Sequence, residues 1–186
     1  MNEWQIERAK ADQLLKELGI ETHAQFRVAV VYGNHGLPSV GDLDVSSSDD
    51  PLELANAIEK EVPSYNDFKG RLVAQAIRDL HNSGLISSVS FGREGSPVLY
   101  VEVPYWTGQA SNLDRLGEDW DKAHGESRKY TDQERGSMFN KIIDRLRETV
   151  PDELGWQKAA DHGSYETDRL TGTAREQPYK VRAWWD

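Results

Sequence analysis

The chain has 186 residues, which suits one compact domain, and 37% of them are hydrophobic, which is enough for a core. It contains no cysteine, so disulfides and thiolate metal sites are excluded. Its net charge of −10 disfavours general affinity for nucleic acid, because phosphate repels an acidic surface. There is no apolar run of transmembrane length and the N-terminus is polar, so we expect a cytoplasmic protein without membrane contact.

The first predicted elements are a helix, a strand and a loop. Apolar residues recur at helical spacing over residues 2–18, and Gly19 with Ile20 has the form of a helix stop. The β-branched run from Phe26 to Tyr32 predicts a strand inside a sheet. Glycine, serine and aspartate dominate residues 33–50 and predict a loop.

This loop carries two carboxylates that alternate with an apolar residue. Asp42 and Asp44 would lie on one face of a strand, as a shared metal ion requires. With Gly33 and Asn34 before them, they resemble the minimal nucleotidyltransferase pattern. That resemblance implies an enzyme that binds Mg²⁺ through these aspartates, with Glu102 as a third carboxylate. The alternative is an acidic surface loop that requires no cofactor, which the pattern favours because Asp-x-Asp is common in loops.

Two helices are predicted next. Asp50 as N-cap and Pro51 as the first helical residue begin a helix that Pro63 ends. The second helix spans residues 67–82 and has one apolar side and one polar side. Its apolar side holds Phe68, Leu72, Val73, Ala76, Ile77 and Leu80.

A glycine stop and a hairpin follow the second helix. Gly84 occupies the position of a left-handed C-terminal glycine, and Leu85 would pack on Leu80. Residues 85–91 predict a strand and residues 98–103 predict another. The four residues from Gly92 to Gly95 have the composition of a turn.

The run from Ala76 to Ile86 resembles the end of the recognition helix in winged-helix domains, which closes on Leu-x-x-x-Gly-Leu-Ile and leads into a two-stranded wing. On this resemblance, residues 51–103 form a winged-helix-like unit with residues 63–66 as its turn and residues 92–96 as the wing tip. The resemblance implies that the unit binds nucleic acid or a protein partner. The implied nucleic-acid-binding residues are Lys69, Arg71, Gln75, Arg78 and Arg93.

Charge is unevenly distributed along the chain. Residues 64–95 contain four basic and three acidic residues, a net charge of +1 within a chain whose total is −10. Nucleic-acid and protein partners therefore fit this segment about equally well. The acidic remainder suits a different possibility, an inhibitor or immunity-type protein that binds a basic partner.

The C-terminal third predicts helices and a last strand. Residues 112–123 form a short candidate helix, and the capping box of Thr131 and Glu134 begins a helix that runs to about Thr149. The apolar side of that helix holds Met138, Phe139, Ile142, Ile143 and Leu146. Residues 179–185 alternate as a strand that would extend a sheet edge.

These elements predict an α+β fold in a single domain, with a small mixed or antiparallel sheet packed by three to four helices. The core would span residues 1–150, and residues 151–186 would be an extension with the terminal strand. Zinc, P-loop and nucleophile-elbow motifs are missing from the sequence. We therefore expect a non-enzymatic binding module without a cofactor.

Overall fold

The computed structural model describes residues 10, 12–39, 45–46, 50–104, 130–158 and 179–186. The helices are α1 at residues 12–17, α2 (His23–Tyr32), α3 (Pro51–Glu61), α4 (Gly70–Asn82) and α5 (Asp132–Arg147), with a short 3-10 turn at Asn34–Gly36. The strands are β1 (Val45–Ser46), β2 (Ser64–Tyr65), β3 (Phe68–Lys69), β4 (Ser88–Glu94), β5 (Ser96–Glu102), β6 (Glu153–Lys158) and β7 (Tyr179–Trp184). Within these ranges no helix has the length and apolar character needed to cross a membrane.

The α+β fold is confirmed, and its sheets are antiparallel. Five strands form one sheet in the order β1-β4-β5-β7-β6, while β2 and β3 pair as a separate small hairpin. Phe91, Leu99 and Ala183 are aligned across β4, β5 and β7, and all three are fully buried. They belong to the same core cluster as Ile58 of α3, Ile77 of α4 and Ile142 of α5, so the helices cover this face of the sheet.

Helix ends that carry explicit sequence signals form as predicted. Gly84 has a φ of 65° and the amide of Leu85 donates to the Leu80 carbonyl at 3.0 Å, which closes α4. The amide of Ile20 donates in the same way to the Leu15 carbonyl after α1. At the start of α5, the Thr131 and Glu134 capping box forms both of its reciprocal hydrogen bonds.

The predicted strand over residues 26–32 is wrong, because this segment is helix α2. Thr22 Oγ1 accepts a hydrogen bond from the Gln25 amide at one end, and Gly33 with a φ of 67° ends the helix at the other. Val28 and Val31 are buried in the core that α3 also enters. Valine costs a helix less than about 0.7 kcal/mol relative to alanine, so burial outweighs the β-propensity of the run.

The second predicted helix starts later than expected. Phe68 and Lys69 lie in β3, and α4 begins at Gly70, because residues 64–69 fold back as a hairpin around Asn66, whose φ is 47°. Phe68 is therefore buried beside the sheet instead of on the apolar side of the helix. Leu72, expected in the core, is 48% exposed.

The β4–β5 hairpin is longer and better supported than a free wing. Its strands continue to Glu94 and restart at Ser96, so Gly95, with a φ of 73°, makes the reversal and the predicted turn from Gly92 is mostly strand. β1 pairs with one side of the hairpin and β7 with the other. Val181, Ala183 and Trp185 are buried as the predicted alternation requires. The predicted position of this strand at a sheet edge is wrong, because β7 lies between β5 and β6. The candidate helix at 112–123 lies outside the described residues.

Candidate nucleic-acid interface

The start of α4 is fixed by a close approach to the end of α3. The amide of Gly70 donates to the Pro63 carbonyl at 3.1 Å, and a Cβ built on Gly70 would lie 2.1 Å from the carbonyl oxygen of Val62. Only glycine fits this crossing without a backbone shift. The hairpin of β2 and β3 fills the connection between the two helices, so the first turn of α4 has a defined position relative to α3.

The beginning of α4 presents an open surface, which we call the open half and define as Lys69, Arg71 and Leu72. All three side chains are exposed. The Lys69 ammonium donates to the Asn66 carbonyl at 3.1 Å and keeps its other donors in solvent. Among the described residues, Arg71 forms no ion pair. The N-terminal end of the helix dipole adds a partial positive charge here.

The following turns of α4, which we call the braced half and define as Gln75, Arg78 and Asp79, are engaged with neighbouring side chains. Arg78 Nη2 lies 2.6 Å from Glu59 Oε2 and 2.7 Å from Asn56 Oδ1, both on α3. Arg145 of α5 donates through Nε and Nη2 to Asp79 Oδ2 at 3.0 and 2.8 Å.

Gln75 joins the braced half through Asp79. Its Nε2 donates to Asp79 Oδ1 at 2.8 Å. Hydrogen bonds from Gln75 and then from Arg145 hold the pKa of the Asp79 carboxyl below its ordinary value. The charged side chains of the braced half, Arg78 and Asp79, thus bind residues of α3 and α5.

Arg93, predicted at the wing tip, packs against two tyrosines. Its guanidinium lies 5.8 Å from the Tyr32 ring centroid and 5.6 Å from that of Tyr65. Arg93 Nη2 donates to the Tyr65 hydroxyl at 3.3 Å, and Nε donates to the Gly95 carbonyl at 3.3 Å. The Tyr32 hydroxyl donates to the Gly92 carbonyl at 3.2 Å.

Of the three candidate metal ligands, Glu102 alone lies within the described residues. Asp42 and Asp44 lie outside the described residues. Glu102 forms an ion pair with Lys180 of β7 at 2.9 Å. The segment before Gly33, which the nucleotidyltransferase pattern would have as a strand, is helix α2.

Sequence reasoning missed one polar cluster, at the buried carboxylate of Glu61. Its oxygens accept hydrogen bonds from Gln25 Nε2 at 2.6 Å and Asn34 Nδ2 at 3.1 Å, and lie 2.8 Å from His35 Nε2. The Glu61 side chain is 2% exposed, so these partners offset the cost of burying its charge. The only sequence signal was the polar Asn-His pair between Gly33 and Gly36, which lies far along the chain from Glu61.

Of the five predicted binding residues, Lys69 and Arg71 are exposed at the start of α4, where Lys69 donates to the nearby Asn66 carbonyl. Gln75, Arg78 and Arg93 have side-chain partners within the protein. The chain matches no protein-family model, no curated protein and no solved structure to which it was compared.

Proposed function

We propose that this protein is a nucleic-acid-binding module that docks a DNA duplex through the open half of α4. The observation that carries the proposal is the state of Lys69 and Arg71, two exposed cations at the N-cap and in the first turn of α4, a helix against which α3 packs. Cations in this position donate to phosphate oxygens, and the helix N-terminus adds backbone amides to the same region.

The order of elements supports a winged-helix-like arrangement. A helix (α2), a short strand (β1), two helices (α3 and α4) and a hairpin (β4–β5) follow one another, and α3 packs closely on α4. The connection between α3 and α4 is longer than the three or four residues of a simple helix-turn-helix. Because the β2–β3 hairpin fills this connection, the start of α4 is still held in place.

The charge of the chain limits the affinity. A protein with a net charge of −10 approaches DNA favourably only with the surface where its cations are concentrated. We therefore expect binding at low salt that weakens steeply as salt is added, because two phosphate contacts contribute about 0.9 each to the slope of log K against log salt.

Fluorescence anisotropy with a labelled duplex of mixed sequence at low salt tests the proposal. The double variant Lys69→Ala with Arg71→Ala is expected to bind at least about tenfold more weakly than the wild type and to show a smaller salt slope. The matched control is Lys141→Ala with Arg147→Ala, which removes two exposed cations from α5. It is expected to bind as the wild type does.

Two results would contradict DNA binding through the open half. One is a wild-type protein that does not bind duplex at low salt, and the other is an equal loss in the two double variants. The first result would favour a protein partner instead, which exposed Leu72 suits because it offers an apolar contact beside Arg71. The second would show that DNA binding depends on overall charge and not on the open half.

A further inference from the structure

The guanidinium of Arg93 rests on a surface that is anchored in the core. The Tyr32 ring stacks on Phe91 with centroids 5.9 Å apart and an interplanar angle of 14°. The ring centroid of Phe91 lies 5.6 Å from that of Phe68, and the Phe68 centroid lies 5.1 Å from that of Trp185. Phe68, Phe91 and Trp185 are completely buried. Tyr32 is therefore packed against the buried core, and the Arg93 guanidinium contacts a ring that the core supports.

The same guanidinium also contacts the connection between α3 and α4, because Tyr65 lies beside Tyr32 with ring centroids 6.2 Å apart. Tyr65 belongs to β2 and lies directly opposite Phe68 of β3. Lys69 follows Phe68 in the chain, and α4 starts at the next residue. The contact between Arg93 and Tyr65 is therefore connected to Lys69 by the pairing of Tyr65 with Phe68, the residue before Lys69.

The Tyr32 hydroxyl keeps its proton and so remains a hydrogen-bond donor beside Arg93. Burial raises the pKa of the Tyr32 hydroxyl above its ordinary value, and the neighbouring Arg93 charge offsets only part of this shift. Tyr32 therefore stays protonated at neutral pH and donates to the Gly92 carbonyl next to Arg93. Arg93 donates from two nitrogens of one planar group, Nε to the Gly95 carbonyl and Nη2 to the Tyr65 hydroxyl, and a lysine ammonium does not reproduce this fixed pair of donors.

We propose that Arg93 is a positioning residue that fixes the β2–β3 hairpin, and with it Lys69 and Arg71, relative to the tip of the β4–β5 hairpin. This inference rests on the proposed DNA binding, and it replaces the phosphate contact that the sequence predicts for Arg93. Arg93 acts on DNA through the orientation of the open half.

The variant Arg93→Lys separates the two roles because it keeps the charge and removes the planar group. If Arg93 positions the open half, Arg93→Lys binds duplex about fivefold more weakly and its salt slope equals that of the wild type. If Arg93 contacts phosphate, Arg93→Lys binds nearly as the wild type does, and Arg93→Ala lowers the slope by about 0.9. The second pattern would overturn the proposal. The control Arg147→Lys changes an exposed guanidinium on α5 and is expected to leave binding unchanged.

Two further readouts exclude a merely structural role. In the Lys69→Ala, Arg71→Ala background, Arg93→Lys is expected to cause no additional loss of binding, since its effect passes through those residues. In the free protein, Arg93→Lys is expected to speed amide hydrogen exchange at residues 64–70 without changing exchange in α5. An additive loss in the double background, or unchanged exchange at 64–70, would refute the positioning role.

Failure of this inference is distinguishable from failure of the proposed function. If the wild-type protein binds no duplex, both are overturned, whatever the exchange measurement shows. If the wild type binds and Arg93→Lys binds equally well, only the role of Arg93 is overturned and the open half remains the interface.

Discussion

The open half and the braced half of α4 differ in what lies beside them, although their residue types are similar. Arg71 and Arg78 are two helical turns apart and belong to the same side of the helix. Arg78 is bound by Glu59 and Asn56 of α3, whereas Arg71 is exposed. Helical periodicity places both arginines on one face but does not indicate which of them a neighbouring element will reach.

The two halves of this helix face therefore have different roles. The braced half connects α4 to α3 through Arg78 and to α5 through Asp79 and Arg145. The open half keeps two cations in solvent, where they are available to an external partner. A substitution in the braced half should therefore change the stability of the fold, and a substitution in the open half should change the binding of a partner.

The largest effect is expected from Gly70→Ala, which would disturb the crossing from which both halves extend. The added Cβ meets the Val62 carbonyl oxygen at 2.1 Å, so the backbone must move, and the free energy of unfolding should fall by about 3 kcal/mol. Urea unfolding followed by circular dichroism measures this change. Equal behaviour of the wild type and Gly70→Ala would contradict the close crossing.

Gly136→Ala is the matched control for this substitution. Gly136 lies inside α5, and a Cβ there would meet no atom of the described part of the chain within 4 Å. Alanine should therefore leave stability unchanged or raise it by about 0.5 to 1 kcal/mol, because it favours the helix more than glycine does.

The parts of α3, α4 and the β4–β5 hairpin that follow local rules were predictable from sequence. Asp50, Pro51 and Gly84 mark helix ends through contacts with residues close by in the chain, and each acts as expected. The error at α2 has the opposite cause. Its run of valines suits a strand locally, and packing of Val28 and Val31 in the shared core, together with the caps at Thr22 and Gly33, makes it a helix.

The candidate site was predictable only in part, for the same reason. Lys69 and Arg71 were predicted to face solvent and do so, whereas the partners of Arg78, Asp79 and Arg93 come from other elements. The Glu61 cluster needed contacts between α3 and the turn after α2, which the sequence alone predicted to follow a strand.

A smaller decrease in the free energy of unfolding is expected from Arg145→Met, which removes the ion pair between Arg145 of α5 and Asp79 of the braced half. Asp79 and Glu148 would each lose a partner at 2.8 and 2.7 Å. Because these carboxylates are largely solvated, the loss should be about 0.5 to 1 kcal/mol. Arg71→Met should change the free energy of unfolding by less than about 0.3 kcal/mol. Equal losses in the two variants would show that the halves do not differ.

The smallest effect is expected from acidification of the braced half. Gln75 and Arg145 lower the pKa of Asp79 in the folded protein, so the ionised carboxylate favours folding at neutral pH. This contribution is present above the unfolded pKa of about 3.9 and is lost as pH falls through the lower folded value. The Tm difference between the wild type and Asp79→Asn should therefore be constant from pH 6 to 8 and shrink below pH 4. A difference that persists at pH 2 would mean that Asp79 supports α4 without its charge. Among the described residues the open half engages no carboxylate, so Arg71→Met should show no such dependence.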